Sequence, residues 1–187
     1  MGGVWDNWNK ESLYTFLRNG VEGYDNISRQ WLKENLSGKV LDCGCGAGVD
    51  YEQIKDVCDY TGMDFTPKML ELCRENFPDG NFVEGNIEKI PFEDKSFDIV
   101  FCRHVLEHLS HYEKAIDEMR RVGKKVIVVL FRPILKKEKI TLISGITNDN
   151  SYDKRILEYF KPTEIIELGK NKYEDGGDYK QWVLIWE

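Results

Sequence analysis

"KVLDCGCGAGVD", residues 39–50, carries a short apolar run into Asp42 and then into glycines at 44, 46 and 48, each separated by one residue. An apolar run that ends on a carboxylate reads as a strand leaving the core, and the residues after it read as the turn into a helix. Two chemistries can use such a loop. Cys43 and Cys45 can act as metal ligands, or the glycines can let a ligand lie against bare backbone with no Cβ in the way. A tight turn without a ligand needs only one or two glycines. The order is Asp42-x-Gly44-x-Gly46-x-Gly48, with Val49 where a dinucleotide-binding loop carries its third glycine.

A metal site is the weaker alternative. The five cysteines, Cys43, Cys45, Cys58, Cys73 and Cys102, include no CxxC pair, whereas zinc sites pair ligands at two to four residues' spacing. They are expected to be small buried thiols, and no metal is expected. Reduced thiols fit a cytoplasmic setting.

Composition narrows the function classes. A chain of 187 residues suits one ordinary domain with its own core, and 32% charged residues mark it as soluble and globular. No apolar run approaches the length that spans a bilayer. The first residues, "MGGVWDNWNK", lack the basic-then-apolar layout of a secretory signal, and Asp6 stands where myristoylation wants Ser or Thr. No membrane partner is expected. A net charge of −7 argues against a nucleic-acid partner, which needs a basic footprint. Oligomeric state carries no signal.

Working outward, strands and helices alternate. The spacing predicts a helix over 26–36, with Ile27, Trp31 and Leu32 or Asn35 as its apolar face and Gly38 as its stop. A strand over 39–42, a helix over 51–57 and a strand over 59–64 follow. Thr66 and Pro67 are placed to open a helix, as N-cap and first-turn residue. Strands are expected at 81–85, 96–102 and 124–131, with a helix over 110–122 between the last two. After a helix over 153–160, "TEIIELG" and "YKQWVLIWE" flank a turn rich in Gly and Asp, so they read as a hairpin. The expected class is α/β: a parallel sheet with right-handed crossovers and one antiparallel strand. The expected layout is one domain over 1–187, with a helical N-terminal lid over 1–36 and the sheet over 37–187.

Two strand ends support a ligand at the glycine loop. Asp64 ends the second strand, where a carboxylate can accept both hydroxyls of a ribose; it can equally serve the N-terminus of the next helix. Asn86 follows the third strand, with an amide that donates and accepts, suiting a purine edge or simply a turn.

"VLDCGCGAG", "GMDFTPKML", "FVEGNIEKIPFEDKSFDIVFCRHVLEHL" and the closing hairpin together resemble the class I S-adenosylmethionine-dependent methyltransferases of the "methyltransferase type 11" kind. The resemblance is close over about 26–131. It implies a Rossmann-like doubly wound sheet of seven strands in the order 3-2-1-4-5-7-6, with strand seven antiparallel. It implies S-adenosylmethionine as cofactor and methyl transfer as the activity. By the same resemblance, Asp42, Gly44, Cys45, Gly46 and Gly48 lie along the methionine portion, Asp64 binds the ribose and Phe65 packs along the adenine. Asn86 and Ile87 meet the adenine edge; the family usually has Asp at the first of these. Cys102 and Arg103 match the stretch lining the methyl-donating side.

"CRHVLEHLSHYEK" gathers all three histidines, His104, His108 and His111. An imidazole is the natural base near neutral pH, and His104, nearest the strand end, is the candidate general base. Glu107 and His108 are read as structural. The sulfonium of the cofactor already activates its methyl group, so an acceptor that sheds its proton unaided needs alignment only. A small-molecule acceptor is expected, shaped by the aromatic N-terminal segment (Trp5, Trp8, Tyr14, Phe16) and by 132–152. The basic stretch 120–139 reads as a solvated surface, or else as an attractor of anions. Methylation of a protein or RNA and a non-catalytic, cofactor-binding partner subunit stay open.

Overall fold

A computed structural model describes residues 9–12, 14–15, 26–109, 111–130, 138–141, 147–150, 154–172 and 178–187. Strand β1 (Lys39–Cys43) lies inside a seven-stranded sheet, paired in parallel with β2 (Asp59–Asp64) on one side and β4 (Phe97–Arg103) on the other. Beyond β2 comes β3 (Phe82–Glu84), and beyond β4 comes β5 (Gly123–Leu130), both parallel. A separate two-stranded hairpin, β6 (Glu138–Thr141) with β7 (Thr147–Asn150), stands outside this sheet. Then β8 (Glu164–Lys172) and β9 (Asp178–Trp186) pair as a hairpin, and β9 inserts beside β5 with Val126 opposite Trp186 and Leu130 opposite Trp182. The spatial order is β3-β2-β1-β4-β5-β9-β8. Without the small hairpin, this is the expected 3-2-1-4-5-7-6 with its last strand antiparallel.

Side-chain alternation splits the core between the two sheet faces. Leu41, Cys43, Val100, Cys102, Val126 and Val128 point to one face and meet α4 (Glu113–Val122) and α5 (Lys154–Phe160) through Ile116, Met119 and Phe160. Val40, Tyr60, Phe101, Ile127 and Val129 point to the other. They meet α1 (Asn26–Asn35), α2 (Val49–Ile54) and α3 (Pro67–Asn76) through Leu32, Ile54 and Leu70. Helix α4 shows why the layers hold. Its buried residues Ala115, Ile116, Met119 and Val122 fall on one helical stripe, and Arg120 and Arg121 in the last turn suit its negative end.

Several sequence expectations shift. Helix α2 starts at Val49, straight after Gly48, and ends by Lys55 rather than reaching Val57. Helix α4 starts at Glu113 rather than Ser110, after a 3-10 turn at Leu106–His108 and extended backbone at Leu109. Thr66 takes the N-cap position of α3 with no side-chain cap bond; its own N–H donates to Asp64 Oδ1 at 2.8 Å. On α1 the predicted face is buried at Leu32 and packs at Trp31, but Ile27 departs from it. Ile27 is 37% exposed, while Leu32, Ser28 and Arg29 are buried. A tertiary ion pair, described below, turns the helix that way. The basic stretch is largely paired within the fold: Arg121 bonds Glu118, Asp94 and two carbonyls, and Lys124 meets Asp98 at 2.8 Å. Arg132, Lys136 and Lys137 lie outside the described residues, as do Trp5, Trp8 and Phe16.

Candidate functional site at the carboxyl ends of the strands

The loop after β1 is hooked onto β2. The N–H groups of Gly44 and Cys45 both donate to Met63 O, at 2.7 and 3.0 Å. The Gly46 N–H donates to Asp64 Oδ2 at 2.9 Å. Gly46 has φ +54 and, among the described residues other than its chain neighbours, no atom within 4 Å of the place a Cβ would take. Backbone is therefore presented to open space there, in a conformation that favours glycine. Gly44 and Gly48 differ. A Cβ on Gly44 would run into Val105, and one on Gly48 would press on Phe77 and Cys73 at 3.1 and 3.2 Å. One glycine keeps a surface bare, and two permit close packing beneath it.

Three carboxylates converge on this loop, each with a different partner. Asp42 is buried at the end of β1, and its Oδ2 accepts from the Tyr60 hydroxyl at 2.6 Å. Asp64 is 8% exposed and accepts the N–H groups of Gly46 and Thr66; burial pushes its carboxyl up despite those bonds. Asp50, in the first turn of α2, meets two guanidiniums. Arg103 donates from Nε to Oδ2 at 2.7 Å and from Nη2 to Oδ1 at 2.8 Å, and Arg29 Nε donates to Oδ1 at 2.6 Å. Burial alone would raise the Asp50 carboxyl, but the two guanidiniums outweigh it and hold it well below the usual carboxylate range.

Next to Asp64, Phe65 is 68% exposed, a large apolar ring on the surface beside the loop. The set therefore offers bare backbone, a carboxylate at a strand end and an aromatic face. Those are the elements that hold a nucleoside carrying an amino-acid tail. A model of the methyltransferase domain family matches residues 41–129. Residues 41–129 carry a class I S-adenosylmethionine-dependent methyltransferase domain.

Similarity to individual proteins agrees. The chain is 39% identical over 105 residues to an uncharacterized protein of Methanocaldococcus jannaschii, covering 54% of this chain and 44% of that one. It is 27% identical over 157 residues to the demethylmenaquinone methyltransferase of Thermotoga maritima, covering 72% and 69%. The chain thus spans less than half the length of the first relative. Among solved structures, a Thermotoga maritima S-adenosylmethionine-dependent methyltransferase, described as a possible histamine N-methyltransferase, superimposes with TM-score 0.71. It covers 97% of each chain at 16% identity, which speaks for the fold.

The other residues singled out from sequence are placed unevenly. Asn86 is exposed, and its Oδ1 accepts the Glu88 N–H at 2.8 Å, so its carbonyl already closes a turn. Ile87 is buried in the cluster that contains Met63 and Ile90. Cys45 is also buried; the bond it shares with Cys73, followed by burial, pushes its thiol up. Cys102 points into the core. It has no exposed surface, its side chain packs with Leu41, Cys43 and Leu106, and burial raises its thiol well above the ordinary range. Strand alternation sends it into the core and leaves Arg103 on the opposite face.

His104 directly follows β4 with φ +57, a conformation uncommon outside glycine. Its N–H donates to Val129 O at 3.1 Å, and its Nδ1 lies 3.5 Å from Oε1 of the buried Glu107. His108 is driven below the ordinary imidazole range, mainly by burial. The backbone of β7 lies against this 3-10 turn. Lys10 bridges to Glu71 and Glu75 on α3 at 3.0 and 2.7 Å, and Tyr14 packs on Ala47, Met69 and Leu72. Among the described residues, no helix is long and apolar enough to cross a membrane. Arg29 and Asp50 were not singled out from sequence; only their contact marks them.

Proposed function

We propose that this chain transfers the methyl group of S-adenosylmethionine to a small-molecule acceptor. The bare backbone at Gly46, tied to Asp64 and flanked by the exposed ring of Phe65, is the observation that carries this. Asp42, Gly44, Cys45, Gly46 and Gly48 are assigned to the methionine portion, Asp64 to the ribose, Phe65 to the adenine face, and Asn86 and Ile87 to its edge. The Thermotoga maritima relative, a demethylmenaquinone methyltransferase, supports a small acceptor. The cofactor's sulfonium supplies an activated methyl group. The protein's own task is to bind, to align and to exclude water, and alignment alone can lower a barrier by ~7–11 kcal/mol.

The test is transfer of label from methyl-labelled S-adenosylmethionine into a metabolite extract, with protein and RNA fractions counted separately. Label in the small-molecule fraction is expected; label confined to protein or RNA would reassign the acceptor. Asp64→Ala is predicted to weaken cofactor binding by ~1–3 kcal/mol through lost charged hydrogen bonds, measured by titration calorimetry on a variant whose melting shows it folded.

His104 is proposed as the general base for acceptors whose proton must be removed. With a hydroxyl acceptor, His104→Ala is expected to lower kcat by roughly 10²–10⁴-fold with cofactor affinity unchanged. Wild-type activity should then fall at lower pH as the ring takes up a proton, because a protonated ring accepts no proton. An amine or phenolate acceptor should leave kcat nearly intact. The kcat comparison across pH thus reports the acceptor class.

A further inference from the structure

Glu107, on the 3-10 turn after β4, is only 2% exposed, and its Oε1 lies 3.5 Å from Nδ1 of His104, three residues earlier. Anchors on both sides fix that spacing. The His104 N–H donates to Val129 O on β5 at 3.1 Å. The turn closes through the His108 N–H to Val105 O at 2.9 Å and the Leu109 N–H to Leu106 O at 3.1 Å. Leu106 is buried, and Val105 fills the space that a Cβ on Gly44 would need. Within this frame His104 keeps φ +57. The other non-glycine residues of positive φ among the described ones, Lys95 and Lys161, are exposed lysines, whereas His104 is half-buried. Backbone strain held at a half-buried side chain is a feature of functional sites.

We infer that Glu107 is a positioning residue for methyl transfer: it holds the His104 ring with its proton on Nδ1 and leaves the lone pair of Nε2 for the acceptor's proton. This rests on the reading of His104 as base and deepens it. Which imidazole nitrogen carries the proton is set by the partner of the other, and an ionised carboxylate only accepts. A proton on Nδ1 therefore faces Glu107, and Nε2 is the nitrogen turned away from it. The 3.5 Å separation is long for a finished hydrogen bond. Contacts of this kind tighten in the reacting complex.

The step balances without a further reactant. A hydroxyl acceptor gives its proton to Nε2, and its oxygen electron pair forms the bond to the methyl carbon. The electrons of the broken carbon–sulfur bond stay on sulfur, which ends as a neutral sulfide. The ring is left as an imidazolium against the Glu107 carboxylate, which stabilises it where little solvent can. The proton passes to solvent when the product leaves.

The ionisable groups around this pair lie on three elements. On the turn itself, His108 is lowered first by burial; Glu107 then raises it and His104 lowers it. On β4, the Cys102 thiol is raised by burial and then by Glu107. On β7, whose backbone lies against the turn, Asp149 is the ionisable residue. Strand β5 offers the Val129 carbonyl to the His104 N–H. Removing the Glu107 charge takes away the carboxylate 3.5 Å from the ring, so the ring should bind its proton less tightly and stay neutral to lower pH.

The experiment is a nitrogen-15 NMR titration of the histidine rings in wild type, Glu107→Gln and His104→Ala between about pH 5 and 9, beside melting curves. The chain has three histidines, so the signals missing from His104→Ala assign the ring. In wild type the neutral ring should be the Nδ1–H tautomer. In Glu107→Gln the tautomer should no longer be fixed, and the midpoint should fall by about one pH unit or more. A purely structural Glu107 would lower the melting temperature and leave tautomer and midpoint in place. Label transfer from methyl-labelled S-adenosylmethionine into a metabolite extract, followed across pH, should show its acid limb moving down with the ring. An unchanged tautomer and midpoint in a folded Glu107→Gln chain would overturn the inference, as would a wild-type ring in the Nε2–H form. The wild-type spectrum decides alone if Glu107→Gln does not fold. If His104→Ala transfers label at the wild-type rate, the base reading falls and this role with it. If His104→Ala is slow while Glu107→Gln matches wild type across pH, the inference alone falls.

Discussion

Gly46→Val is expected to abolish S-adenosylmethionine binding, weakening it by about a hundredfold or more, ~2.7 kcal/mol or beyond. Among the described residues nothing but its chain neighbours lies within 4 Å of the new Cβ, so the branched side chain would occupy the open space above the loop, not the core. The substitution also forces a β-branched residue to φ +54, a strain of order 1–3 kcal/mol. Gly46→Ala separates the two effects. It accepts the same unfavourable backbone region with one methyl group, so it should lose stability comparably and affinity far less. Calorimetry on both variants, with melting temperatures alongside, is the measurement. A folded Gly46→Val chain that titrates like wild type would remove the loop from the cofactor site.

Asp50→Ala should be the most destabilising single change near the site, by about 3–5 kcal/mol, because it leaves Arg29 and Arg103 buried without their shared carboxylate. A fall in the urea midpoint with an unchanged denaturant slope would show it. Arg29→Leu should be milder, since the two-bond Arg103–Asp50 contact survives. The Asp50 acid is depressed on folding, so its contribution is complete above the unfolded value of about 3.9 and is lost as pH falls toward the folded one. Wild type should therefore lose stability below about pH 4 more steeply than Asp50→Asn. Equal acid sensitivity would mean that the arginines do not stabilise the ionised Asp50.

The Arg29–Asp50–Arg103 contact ties α1, the helix that the glycine loop starts, and the end of β4 into one unit. Arg103 immediately precedes His104, whose left-handed backbone starts the turn towards Glu107. The carboxylate that settles the glycine loop's helix thereby also settles where the candidate base begins. Removing it should disturb both halves of the site.

The sheet was legible in the chain because each strand carries its own signal. "DYTGMD" begins and ends on an aspartate and forms β2 over those same six positions. The run around Val126–Leu130 is apolar throughout because both its faces are covered. The Gly and Asp turn before "YKQWVLIWE" forces a reversal, and a reversed last strand beside β5 is what the fold contains. The glycine order was equally plain, since a left-handed backbone and a bare surface leave few other residue types to choose from. Tertiary structure alone decided the rest. Periodicity placed Ile27 inside and said nothing of Arg29, because the carboxylate that draws Arg29 inward lies 21 residues away. Arg103 finds the same carboxylate across 53 residues. Alternation along β4 was readable, but which of Cys102 and Arg103 faces the site depends on which helices cover which side. Local sequence sets backbone conformation and the apolar stripe of each element; the pairing of buried charges is set only when distant elements meet, because their attraction must offset the loss of water at that contact.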